Sequence, residues 1–117
     1  MKCAILTESI AIRKALVNIA NECNFSDVIE EDLFIPLCRW DVFDCIDIFI
    51  LEWKKPVVIC VDVIRKINKM RPKYKIVLVT SDFERDSALI NLETICDEII
   101  IRPLDRNKVK EQLLSLV

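Results

Sequence analysis

The chain has 117 residues with no glycine and no histidine, 53% apolar and 31% charged residues, and a net charge of -2. Ordinary usage would supply about eight glycines in this length, so glycine-built phosphate loops and the G-x-S-x-G nucleophile turn are excluded. The missing histidine excludes Ser-His and Cys-His nucleophilic pairs, His-ligated zinc and the usual neutral-pH general base.

Taken in chain order, short apolar blocks alternate with helical patterns. Cys3–Leu6 reads as a first strand. Ser9–Asn21 follows as a helix with Ile12, Leu16, Ile19 and Ala20 on one face, and Asn24 stands where a helix C-terminal turn usually has glycine. Asp27–Glu30 alternates less cleanly than the other strands and suits a position near a sheet edge. Leu33–Val42 is the least regular helix pattern, because it contains Pro36. Ile48–Leu51 reads as a third strand. Val58–Met70 then places Val63, Ile64 and Ile67 together and stops before Pro72. Ile76–Val79 is a fourth strand, and Ser81-Asp-Phe-Glu84 is a capping box opening a helix through about Leu92. After Ile99–Ile101, Asp105 caps a last helix that buries Val109, Leu113 and Leu114 and runs to the final residue, with no output domain after it.

Four of the five blocks are continuously apolar, as strands covered on both faces of a parallel sheet should be. The expected fold is α/β: a doubly wound (βα)5 domain over residues 1–117, with a five-stranded parallel sheet in a three-layer sandwich. Ligand chemistry in such sheets gathers at the carboxyl ends of the strands. Here those ends carry Thr7 and Glu8, Glu52, Thr80 and Ser81, and Arg102 and Pro103.

Charge and cysteine usage narrow the context. Residues 1–60 hold 10 acids and 6 bases, and residues 61–117 hold 9 and 11. Arg65, Lys66, Lys69, Arg71, Lys73 and Lys75 cluster within Arg65–Lys75. That run reads as a solvated helix C-terminus complementing the dipole, with a nucleic-acid patch as the alternative. The six cysteines (Cys3, Cys23, Cys38, Cys45, Cys60 and Cys96) form no C-x-x-C pair and sit mostly in apolar runs. They read as reduced core thiols of a cytoplasmic protein. The longest run of aliphatic and Cys residues, Val57–Val61, is far below the ~18 residues of a membrane span, so no membrane partner is expected. Trp40 and Trp53 read as core or pocket rim.

The ordered strand ends resemble the receiver domain of two-component response regulators. Such domains place an acidic pair after the first strand, where this chain has Thr7-Glu8. Their third strand reads D-x-x-x-x-D-x-x-M-P, and here it is Asp47-Ile-Phe-Ile-Leu-Glu52-Trp-Lys-Lys-Pro56. A Thr/Ser ends the fourth strand, as Thr80 does. Lys-Pro follows the fifth, replaced here by Arg102-Pro103. The separations of 44, 28 and 22 residues between Glu8, Glu52, Thr80 and Arg102 also suit the family. The resemblance spans essentially the whole chain and implies a receiver/flavodoxin-like sandwich.

It also implies phosphoryl transfer from a phosphohistidine to the second Asp, with Mg2+ held by that Asp and the acidic pair, and Lys and Thr/Ser on the phosphoryl oxygens. This sequence keeps the Thr/Ser, as Thr80, and departs at the acidic pair, the acceptor and the Lys. Thr7 removes one carboxylate from the cation site. Glu52 moves the acceptor carboxylate by on the order of 1 Å, a shift that reaction sites tolerate poorly. Arg102 replaces a point charge with a planar fork. Ile99 stands where an aromatic switch residue is usual, and Ile59-Cys60 stands where the loop after the third strand has Asp-Gly.

The resulting expectation is a stand-alone pseudo-receiver, not an enzyme, in which Thr7, Glu8, Glu52, Thr80 and Arg102 line a degenerate phospho-acceptor pocket. Glu52 and Arg102 are expected to face each other, either bonded as an imitation of the phosphorylated state or merely solvated at the rim. Lys54 is a candidate tethered cation. No Mg2+ or other cofactor is expected, and Glu8 is the place for any remnant cation contact. The expected partner is a protein of unknown identity. A homodimer through the fourth helix, fifth strand and fifth helix, roughly Phe83–Val117, is one candidate. A still phosphorylatable receiver in a phosphorelay is the first alternative, and nucleic-acid binding through Arg65–Lys75 the second. The loop after the third strand is expected to be tightened for want of glycine.

Overall fold

Five apolar blocks form one parallel sheet: β1 (Lys2–Leu6), β2 (Asp27–Glu31), β3 (Ile48–Glu52), β4 (Lys75–Ser81) and β5 (Glu98–Arg102), in the order β2-β1-β3-β4-β5. Among the described residues three helices accompany them: α1 (Ile10–Glu22), α2 (Val57–Met70) and α3 (Arg106–Leu114). This is a computed structural model that describes residues 2–32, 46–53, 57–70, 74–81 and 96–117. The expected helices over Leu33–Val42 and through Leu92 lie outside the described residues, as do Trp40, Lys54, Cys38 and Cys45.

Side-chain alternation along the strands divides the interior into two layers. Ala4 and Leu6, Phe49 and Leu51, and Ile76 and Leu78 pack on one side against Val63, Ile64 and Ile67 of α2. Cys3 and Ile5, Ile48 and Ile50, Val77 and Val79, and Ile100 pack on the other against Leu16 and Ile19 of α1 and Val109 and Leu113 of α3. Burial on both sides explains why β1, β3 and β4 read as unbroken apolar runs. β2 lies at the edge and keeps Asp27 and Glu30 exposed, which is why its pattern is mixed.

Local chemistry sets the helix ends. The Ser9 hydroxyl accepts the Ile12 N–H at 3.3 Å and caps α1, while Asp105 accepts the Lys108 N–H at 3.2 Å and caps α3. After α1, Asn24 adopts φ 61°, a left-handed conformation that asparagine tolerates best after glycine. Two expectations need correction. α3 stops at Leu114, with Ser115 as its C-cap, and Leu114 is exposed rather than buried. Nine residues give it only enough turns to bring Val109 and Leu113 onto the sheet. Ile59-Cys60 is not in a loop: α2 already begins at Val57, so the pair lies in its opening turn. Four residues join Glu52 to α2, and residues 54–56 of that connection, where the tightened loop is expected, lie outside the described residues.

The two helices on one face are joined at their ends. Arg106 donates to both carboxylate oxygens of Glu22, with Nε to Oε2 at 2.8 Å, and holds the Glu22 carboxyl below its usual range. Beneath them Cys3 and Cys23 are buried free thiols. Burial pushes the Cys3 thiol up to about 12, with the neighbouring Cys23 adding to the shift. Among the described residues no helix is long and apolar enough to cross a membrane.

Candidate functional site

Register decides which residues can meet at the carboxyl end of the sheet. β1 and β3 are neighbours, with Leu6 opposite Leu51, so the next residues along, Thr7 and Glu52, stand side by side. Both follow the row that packs against α1 and α3. Thr7 is 1% exposed and Glu52 5%. The Thr7 hydroxyl donates to Glu52 Oε1 at 2.7 Å and accepts the Ser9 N–H at 3.1 Å. Because the hydroxyl has one proton, these two bonds fix its direction: it gives to the carboxylate and receives from the backbone.

Arg102 reaches the same carboxylate from farther away. β4 lies between β3 and β5, so two interstrand steps of about 4.8 Å each separate the backbones. Only a long side chain spans that gap. Its Nη1 stops 3.9 Å from Glu52 Oε2, an ion pair beyond hydrogen-bond distance. The side chain is 31% exposed, and its buried Nε has no partner among the described residues. The Glu52–Arg102 encounter expected from sequence is present, as a loose ion pair and not a bidentate bond. Arg102 precedes Pro103 through a cis peptide bond.

Thr80 is fully buried and ends the Ile76–Leu78 row, on the α2 side of β4. Glu8 is half-buried beside Thr7. Trp53 belongs to the core against α2, not to a ligand cage, and its Nε1 has no partner. Its backbone N–H extends the β3–β4 ladder to the Val79 carbonyl at 2.7 Å, pinning the residue after Glu52. From α2, the Cys60 thiol lies 3.4 Å from the Glu52 carbonyl and ties the helix start to the strand end.

Sequence reasoning missed two participants. Arg13 of α1 donates to the Thr7 carbonyl at 2.6 Å and pairs with Asp32, just past β2. A strip of compensated groups therefore crosses the end of the sheet, from Asp32 through Arg13 and Thr7 to Glu52 and Arg102. Nothing in the sequence marks Arg13, since its pairing depends on strand order. Thr7 was legible only as a lost carboxylate; the structure makes it a donor.

The Mg2+ that the family resemblance implies does not fit this donor set. Thr7 turns its proton, not a lone pair, toward Glu52, and Arg102 already supplies positive charge beside it. Among the described residues no three Cys, Asp or Glu side chains come together as a metal site.

No protein-family model and no curated protein matches this sequence. Solved structures do. The N-terminal receiver domain of a two-component response regulator from Bacteroides fragilis superimposes with a TM-score of 0.83 at 18% identity, covering 98% of this chain and 94% of that one. The chain has the receiver fold. A response regulator from Thermotoga maritima gives a TM-score of 0.76 at 13% identity, over 98% of this chain and 95% of that one. A response regulator receiver domain protein from Clostridium thermocellum gives 0.74 at 15% identity, over 98% and 92%. Within the receiver fold, the Thr7–Glu52–Arg102 cluster lies at the carboxyl ends of β1, β3 and β5, the side where doubly wound sheets carry ligand chemistry.

Proposed function

We propose that this chain is a pseudo-receiver: a signalling module of the two-component type that acts through contact with a protein partner, without phosphoryl transfer to residue 52. The observation that carries this reading is the engagement of the Glu52 carboxylate, buried and bonded to the Thr7 hydroxyl at 2.7 Å with Arg102 across from it. A phosphoryl acceptor needs an oxygen free for in-line approach and a cation to offset charge on the transferring group. Here one oxygen is committed to a hydroxyl donor, and the second faces a guanidinium that a phosphoryl group would have to displace. The Glu52–Arg102 pair stands in for the phosphoryl–lysine contact of the receivers this chain resembles.

The surface offered to a partner is the β5–α3 side, the counterpart of the one such receivers commonly use, and a second copy of the chain is one candidate occupant. Intact-mass measurement after incubation with acetyl phosphate and Mg2+ tests the reading, with beryllofluoride titration followed by amide spectra as a second probe. Neither reagent should leave an adduct or a saturable shift. A stoichiometric phosphoryl adduct at Glu52 overturns the pseudo-receiver and leaves a divergent phosphorelay receiver in its place.

A further inference from the structure

The two contacts of Glu52 are unequal, and their inequality gives the site a direction. Toward β5, the Arg102 ion pair is 3.9 Å long and one-third exposed, with an unpartnered Nε. Solvent screens such a pair, and contacts of this kind contribute little. Toward β1, the Thr7 bond is 2.7 Å, buried, and made to a carboxylate, which places it among the stronger protein hydrogen bonds. Thr7 is in turn gripped by the opening of α1. Ser9 donates its N–H to the Thr7 hydroxyl at 3.1 Å, the Ser9 hydroxyl caps Ile12, and Arg13 donates to the Thr7 carbonyl at 2.6 Å. A carboxylate polarises the hydroxyl it accepts from, and a polarised hydroxyl accepts more strongly from the amide behind it.

We propose that Thr7 is a positioning residue that couples the Glu52 carboxylate to the N-terminal turn of α1, so that a change of charge in the pocket is felt first at Ser9–Arg13 and only secondarily at β5 and α3. This goes beyond the pseudo-receiver reading and does not depend on it. A phosphoryl adduct at Glu52 would replace that reading and leave the coupling to be judged on its own measurement.

Backbone amide exchange, read residue by residue on the intact chain, provides that measurement as a double-mutant cycle. Glu52→Gln keeps the shape of the side chain and removes its charge; it should speed exchange of the Ser9–Arg13 amides by about fivefold, as a charge-assisted bond becomes a neutral one. Thr7→Val should do the same, and adding Glu52→Gln to it should change exchange there by less than about twofold, because the two side chains act through one bond. Thr7→Ser, which keeps the hydroxyl, should behave as the native chain and separates loss of the bond from loss of the fold. Arg102→Gln should leave the α1 turn within about twofold of native. The proposal is overturned if Glu52→Gln loosens residues 102–109 while sparing 9–13. It fails equally if the Glu52→Gln effect persists undiminished in the Thr7→Val background.

Discussion

The two ends of the sheet use acidic side chains in opposite ways. At the amino end, Asp47 accepts the Lys2 N–H at 2.9 Å just before β3 begins, and Asp97 accepts the Ile76 N–H at 2.8 Å just before β5. Each aspartate also takes part through its own backbone, Asp47 N–H bonding the Lys2 carbonyl and Asp97 N–H the Ile76 carbonyl. Each thus closes the start of a neighbouring strand, satisfying an amide that the parallel ladder leaves open. At the carboxyl end Glu52 faces side chains instead, accepting from a hydroxyl and forming a longer ion pair with a guanidinium. Carboxylates that serve the backbone hold the sheet together. A carboxylate that faces only side chains is free to differ in charge without unravelling a strand.

Four measurements can break or sharpen that contrast. The largest effect is expected at the amino end. Asp47→Ala or Asp97→Ala leaves a partly buried amide without its acceptor and should cost about 1–3 kcal/mol in chemical denaturation. Glu52→Gln at the other end should cost less than about 1 kcal/mol, since the amide remains an acceptor for Thr7 and the 3.9 Å Arg102 pair is not a hydrogen bond. Equal losses at the two ends would make Glu52 another structural carboxylate and end the contrast.

Next comes acid. The Glu22 carboxyl is held below its usual value of 4.5, chiefly by its hydrogen bonds to Arg106. A lowered folded-state pKa means stability present above about 4.5 and lost as pH falls through the lowered value. Thermal melts between neutral and acid pH should show that loss, and Arg106→Ala should flatten it. An unchanged acid limb in the variant would assign the loss to other carboxylates. The smallest effect is at Cys3, whose thiol is pushed up to about 12 by burial. Its contribution is intact below the unfolded value of 9.0 and lost as pH rises through the folded one. In native protein near pH 8, Cys96, only partly buried, should react with iodoacetamide well before Cys3. Early labelling of Cys3 would show that β1 opens locally.

The contrast also marks how far the sequence could be read. All five strands were legible as short blocks, each one to three residues short, because polar ends such as Lys2, Glu52 and Arg102 belong to a ladder and not to a hydrophobic pattern. The capped helix starts at Ser9 and Asp105 and the left-handed turn at Asn24 were legible because they depend on residues within one turn of each other. Leu114 was misread, since its burial depends on where α3 leaves the sheet. Ile59-Cys60 fell inside the helix read over Val58–Met70, as the structure has it; only the alignment with a family loop was wrong, since spacing says nothing of where a helix opens.

The sequence by itself determined that the chain is an α/β sandwich and that chemistry-bearing residues, Glu52 and Arg102 among them, stand at its strand ends. Those are consequences of hydrophobic period and local propensity, which act over a few residues. Only the tertiary structure decided that Thr7 is the close partner of Glu52 and Arg102 the distant one. Strand order places β1 directly against β3 and puts β4 between β3 and β5. Parallel register then sets 2.7 Å on one side and 3.9 Å on the other. No spacing along the chain encodes that difference, because the contacts join residues brought together only when the sheet assembles.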